Sequence, residues 1–142
     1  MEKILTLYDE LNCAGVRFYH WDLGDGQACT LEMNGQYGVF MDFGNIATGA
    51  EELVAVAHEG GHVFTGATHK VSSPYDLVAK HEYKADKWAI EQLIPARELD
   101  AAVAQGYTDL YSLAEHFDVT VPFMEKAVSL HTHGNLSTRL NF

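Results

Sequence analysis

Residues 58 to 62 read His-Glu-Gly-Gly-His, inside the run "ELVAVAHEGGHVFTG". Two histidines four positions apart fall on one face of a helix, because i and i+4 are neighbours there. That spacing lets two imidazole nitrogens reach one zinc ion at about 2.0–2.1 Å each. Glu59 is turned by about 100° from His58 around the helix axis, so it can act on a water at the metal without ligating the ion. Histidine-glutamate-x-x-histidine on a helix is the pattern of zinc-assisted hydrolysis with the glutamate as general base. Gly60 and Gly61 count against the helix by about 1 kcal/mol each relative to alanine. A local rule broken twice in succession marks a constraint from function or packing.

A catalytic zinc takes a third protein ligand and keeps one position open. Downstream, "HEYKADKWAIEQLIP" places Glu82 and Asp86 one turn apart on the same helical face. Glu82 is the expected third ligand. Asp86 can accept a hydrogen bond from the distal ring nitrogen of His58 or His62, which fixes tautomer and ring orientation. The competing reading makes Glu82 and Asp86 a solvated face paired with Lys80, Lys84 and Lys87. His69 is the alternative third ligand. "HEGGHVFTGATH" has one residue too many before its glycine to match H-E-x-x-H-x-x-G-x-x-H, and the extra residue shifts both Gly66 and His69. Tyr75, Tyr83 and His69 are each candidates to stabilise an oxyanion, and the sequence does not choose among them.

These residues need elements to position them. Thr48-Gly-Ala-Glu51 forms a capping box, with Glu51 and Glu52 at the positive end of the helix dipole. The helix that follows is expected from about Gly49 to Phe64, ended by Gly66. Leu53, Val54, Val56, Ala57, Val63 and Phe64 make it apolar nearly all round, as in a buried central helix. Ser73-Pro74 is the expected start of the helix carrying Glu82, which runs to Pro95. Before the motif, Ile4, Leu7, Tyr8 and Leu11 have helical spacing, with Gly15 as the stop. Three β-like runs come next, "VRFYHW", "ACTLEM" and "QYGVFMD", the last pair joined by Asn34-Gly35, a type I′ hairpin signal. The expected sheet is a three-stranded antiparallel meander, with "YGVFMD" as a candidate edge for an extended peptide. After Pro95 come a short helix ended by Gly106 and two more, capped by Thr108 and Thr120. The expected fold is α+β, mainly helical and zincin-like, with all of 1–142 forming one domain.

With 142 residues and a formal net charge of −11, the chain suits a single core. Its acidity opposes a nucleic-acid backbone as the main partner, which requires clustered lysine and arginine. No apolar run approaches the roughly 18 residues of a membrane span. "MEKILTLYDELNCAG" reads as a folded helix rather than a secretory signal, so a cytoplasmic location is expected. Cys13 and Cys29 are too few for a disulfide framework and are expected as free thiols.

The segments "LVAVAHEGGHVFTG" and "EYKADKWAIEQLIP" resemble the two signature segments of the ImmA/IrrE-type metallopeptidase family, with H-E-x-x-H and a later E-x-x-x-D as in gluzincins. Ala57, Gly61 and Ile94-Pro95 match features of that family. Gly60 departs from its usual larger apolar residue, and Asp86 and Trp88 stand where asparagine and phenylalanine are common. The resemblance implies a Zn2+-dependent regulatory endopeptidase whose protein substrate is a DNA-binding repressor.

Two rival readings belong to other classes. One is a metal-containing module that sequesters a repressor without cutting it. The other takes "SLAEHFDVTVPFMEKAVSL" as a helix-turn-helix. Its second helix offers Lys126 as the only strong base, while Glu125, Asp118 and Glu115 oppose DNA. His131 and His133 read as tail histidines.

Overall fold

A computed structural model describes residues 2–66 and 75–136, the side chains of 75 and 76 excepted. The expected Ser73-Pro74 start and His69 lie outside the described residues, as does the side chain of Tyr75. The element order is α1 (Glu2–Cys13), β1 (Arg17–His20), β2 (Ala28–Met33), β3 (Gln36–Met41), α2 (Gly49–Thr65), α3 (Tyr75–Leu93), α4 (Ala96–Ala104), α5 (Leu110–Phe117) and α6 (Val121–His133). The fold is α+β.

The sheet corrects the expected meander. Its strand order is β1-β3-β2, with β1 parallel to β3 and β2 antiparallel to it. Asn34 and Gly35 do make the tight hairpin, with φ of 53° and 77°, both positive as a type I′ turn demands. The error lies in the partner of β1. Residues 21–27 carry the chain across the end of β3, two strand spacings or about 9.6 Å, instead of folding β1 back onto β2. That crossing is pinned by side chains from beyond β3. Asn45 Nδ2 donates to the carbonyls of Gly24 (2.7 Å) and Gly26 (2.8 Å), and Asp42 Oδ2 accepts from the Leu23 amide at 3.0 Å.

Interior position suits β3, which is apolar on both faces; Val39 and Met41 are fully buried against the helices. Its partner β2 ends in Leu31, Glu32 and Met33, all exposed, and forms an edge. The expectation that "YGVFMD" offers the edge is therefore wrong: β3 has neighbours on both sides, and β2 is the edge that reaches the motif helix.

Helix α2 is the central element. Thr48 caps it, accepting from the Glu51 amide at 3.1 Å, while Gly66 closes it with φ of 66°. The Glu51 carboxylate also accepts from Gln27 Nε2 at 2.9 Å, tying the helix start to the segment before β2. Val56 and Ala57 are fully buried in the common core with Leu11, Val39, Ile90 and Met124. Thr120 caps α6 as expected, whereas α5 is capped by Asp109, one residue after Thr108. Asp109 accepts the Ser112 amide at 2.8 Å. Helix α6 lays Phe123, Met124, Ala127 and Val128 into the core, so the α5–α6 pair completes the packing. Among the described residues no helix is long and apolar enough to cross a membrane.

The two glycines of the motif have separate explanations. A Cβ at Gly61 would lie 2.6 Å from Ala85 Cα and 2.8 Å from its carbonyl carbon, so α2 and α3 touch backbone to backbone there. A Cβ at Gly60 would first meet side chains, the Trp88 ring at 3.0 Å and the tip of Leu11 at 3.5 Å. Gly61 sets the distance between the two helices, and Gly60 makes room for an aromatic ring.

Candidate metal centre

The α2–α3 contact at Gly61 and Ala85 brings two pairs of side chains together. His58 and His62 stack one turn apart on α2, and Glu82 and Asp86 stack one turn apart on α3, flanking Ala85. Glu82 reaches both imidazoles: its Oε2 lies 2.7 Å from His58 Nε2 and its Oε1 lies 3.2 Å from His62 Nε2. The two Nε2 atoms are 3.2 Å apart.

Those distances test the donor set. Two nitrogens bound tetrahedrally to one zinc ion lie about 3.3 Å apart. The histidine pair already has that separation, and the His62–Glu82 pair is the same. Only the His58–Glu82 approach is shorter, and it needs to open by about half an ångström. His58, His62 and Glu82 each offer one ligand atom within 4.8 Å of the others, so they could hold a metal ion, and a two-histidine, one-carboxylate set suits zinc.

Asp86 resolves the choice left open between the histidines. Its Oδ1 lies 2.7 Å from His58 Nδ1. An Nδ1–H donated to Asp86 leaves Nε2 as the atom that could ligate an ion. Lys126 Nζ of α6 donates to the other Asp86 oxygen at 3.2 Å. Burial alone would lower the His58 pKa, but hydrogen bonds to Asp86 and Glu82 outweigh it and push the value up to about 10. Hydrogen bonds from His58 and His62 hold the Glu82 carboxyl far below its ordinary value. Asp86 resists its own burial and is lowered by the His58 bond, with Lys126 adding to the effect. A divalent cation and the second His58 proton compete for the same position. The lysines expected to neutralise this face do not include Lys126, which no pattern in the sequence linked to Asp86.

Replacing Asp86 by alanine frees the His58 ring and should lower metal affinity about 10- to 100-fold, measured by competition with a chromogenic chelator. Unchanged affinity would show that the Asp86 bond does not orient the ligand.

Glu59 lines the same cleft and turns toward β2. It is buried, and its Oε1 accepts from Thr30 Oγ1 of β2 at 2.8 Å. The whole arrangement opens into a cleft of about 630 Å³. Ala28, Cys29 and Thr30 of β2 form one wall, α2 and α3 the floor, and Pro122, Phe123 and Lys126 of α6 the opposite wall. Sequence reasoning found neither Thr30 nor this use of α6. A threonine in a β-like run carries no sign of its partner, and helical spacing within α6 does not show which element its side chains face. Tyr83 is partly exposed and is not among the residues that line the cleft.

No curated protein and no solved structure gives a significant match to this chain. A family model described as the IrrE N-terminal-like domain, Peptidase_M78, matches residues 48–129. The match begins at the cap of α2 and runs into α6, covering more than half of the chain and all four residues that bracket the α2–α3 contact. With that span and this donor geometry, the chain belongs to the Peptidase_M78 metallopeptidase family.

Proposed function

We propose that the protein is a zinc-dependent endopeptidase that cuts an extended segment of a protein substrate. The observation that supports this most directly is the convergence of His58, His62 and Glu82 beside Glu59, at the foot of an open cleft with a strand edge along one wall. When bound by the three ligands, the ion supplies Lewis-acid chemistry, making water more acidic and polarising a peptide carbonyl. Glu59 takes a proton from the attacking water and returns it to the leaving amine. Asp86 holds the His58 ring with Nε2 turned inward.

The edge strand supplies the means of holding a peptide. The Asp42 amide donates to the Gln27 carbonyl at 2.9 Å, so Gln27, Cys29, Leu31 and Met33 are the residues that bond to β3. Antiparallel pairs alternate, which turns the main-chain groups of Ala28, Thr30 and Glu32 outward. An extended substrate segment adds there by main-chain pairing, next to the catalytic groups.

We further propose that the substrate is a DNA-binding repressor, that the enzyme acts in the cytoplasm, and that it makes no direct contact with nucleic acid. Family membership supports the regulatory role, and the one strong base of α6, Lys126, is paired with Asp86. Incubating the zinc-loaded protein with repressors encoded beside it tests the reading. The expected result is a discrete cleavage that stops with a chelator and in Glu82→Ala, which also loses bound metal. Intact repressor with fully loaded wild-type protein would reject that substrate.

A further inference from the structure

We propose that Thr30 is a positioning residue for Glu59: its hydroxyl fixes the carboxylate of the general base and ties it to the strand on which the substrate lies. The inference rests on the hydrolytic reading above. Thr30 falls outside the span matched by the family model, so only this chain's own packing shows it.

Glutamate has three rotatable side-chain bonds, and a general base must be held close to its productive geometry to be effective. Glu59 is also buried, where a carboxylate needs hydrogen-bond donors. Thr30 Oγ1 meets the carboxylate at 2.8 Å but lies 3.4 Å from the Glu59 carbonyl. Its single proton therefore goes to Oε1, leaving Oε2 as the oxygen to work on water. Threonine suits this task because its β-branched side chain has few rotamers.

The strand gives the contact a further meaning. Thr30 pairs with Val39 on β3 and sends its side chain inward to α2, while its own main-chain groups face the outer edge. A peptide that pairs with Thr30 is thereby placed in register with the oxygen that Thr30 holds. One residue sets both the depth of the base and the position of the strand being cut.

Thr30→Val keeps the shape and removes the hydroxyl; Thr30→Ser restores it. In zinc-loaded protein, kcat for a cleavable peptide should fall about tenfold in Thr30→Val, with KM and zinc content unchanged, and Thr30→Ser should recover most of the loss. A readout independent of turnover is the side-chain carboxyl 13C resonance of Glu59, assigned by its absence in Glu59→Gln. It should move in Thr30→Val and return in Thr30→Ser. Wild-type kcat in Thr30→Val, an effect on KM alone, or equal losses in both variants would overturn the assignment of Thr30. A wild-type protein that cleaves nothing would instead defeat the hydrolytic reading, while the resonance still reports whether the hydrogen bond exists.

Discussion

Replacing Glu59 by glutamine should lower peptide hydrolysis by about 10²- to 10⁴-fold while zinc content stays at the wild-type level. The substitution is nearly isosteric, and the amide oxygen can still accept from Thr30 Oγ1, so the buried side chain keeps its partner. What disappears is a group able to take a proton from water. His58, His62 and Glu82 are untouched, and the ligand set therefore remains complete. Initial rates on a cleavable peptide, run beside metal analysis of the same sample, check both halves. Activity near the wild-type level would remove Glu59 from the mechanism. The variant also separates cutting from capture. A sequestering module leaves its target whole even with the wild-type protein, whereas a peptidase yields fragments that vanish with Glu59→Gln.

The largest loss of stability should come from Gly61→Ala. Alanine favours the helix by about 1 kcal/mol, but its methyl group would sit 2.6 Å from Ala85 Cα. Backbone cannot turn aside as a side chain can, so α2 and α3 must separate. Overpacking of this kind costs about 3 kcal/mol or more, which lowers Tm by about 10 °C for a domain of this size. The same displacement draws Glu82 and Asp86 away from the histidines, so metal affinity should fall with stability. Gly60→Ala is the control. Its methyl group meets the partly buried Trp88 ring at 3.0 Å. That ring can shift, and the helix gain offsets the strain to within about 1 kcal/mol. Thermal unfolding of both variants without metal, followed by chelator competition, tests the pair. Equal Tm values for wild type and Gly61→Ala would contradict the close helix approach.

What was legible in the sequence follows from which contacts are local. The faces shared by His58 and His62, and by Glu82 and Asp86, are set by helical period alone, and only their meeting required tertiary packing. The Asn34-Gly35 turn and the Thr48 cap were legible for the same reason. The strand order was not. Whether β1 pairs with β2 or β3 depends on where residues 21–27 go, and they are held by Asp42 and Asn45 from the far side of the hairpin. Thr30 was hidden for an equivalent reason: its partner lies on another element, and no spacing relates the two. Gly61 announced itself as an anomaly, yet its cause is the backbone of Ala85. The shift of the α5 cap from Thr108 to Asp109 is smaller, since two good capping residues stood side by side.

The side chains that could hold a metal are divided between two helices, and that division has a thermodynamic consequence. An unfolded chain scatters the three side chains, so only the folded form binds the ion tightly. Occupancy would then add directly to folding free energy, by about 2.7 kcal/mol when free metal exceeds its dissociation constant a hundredfold. A divalent cation held there would be a clasp between α2 and α3, and its scarcity would loosen the same joint that Gly61 holds tight.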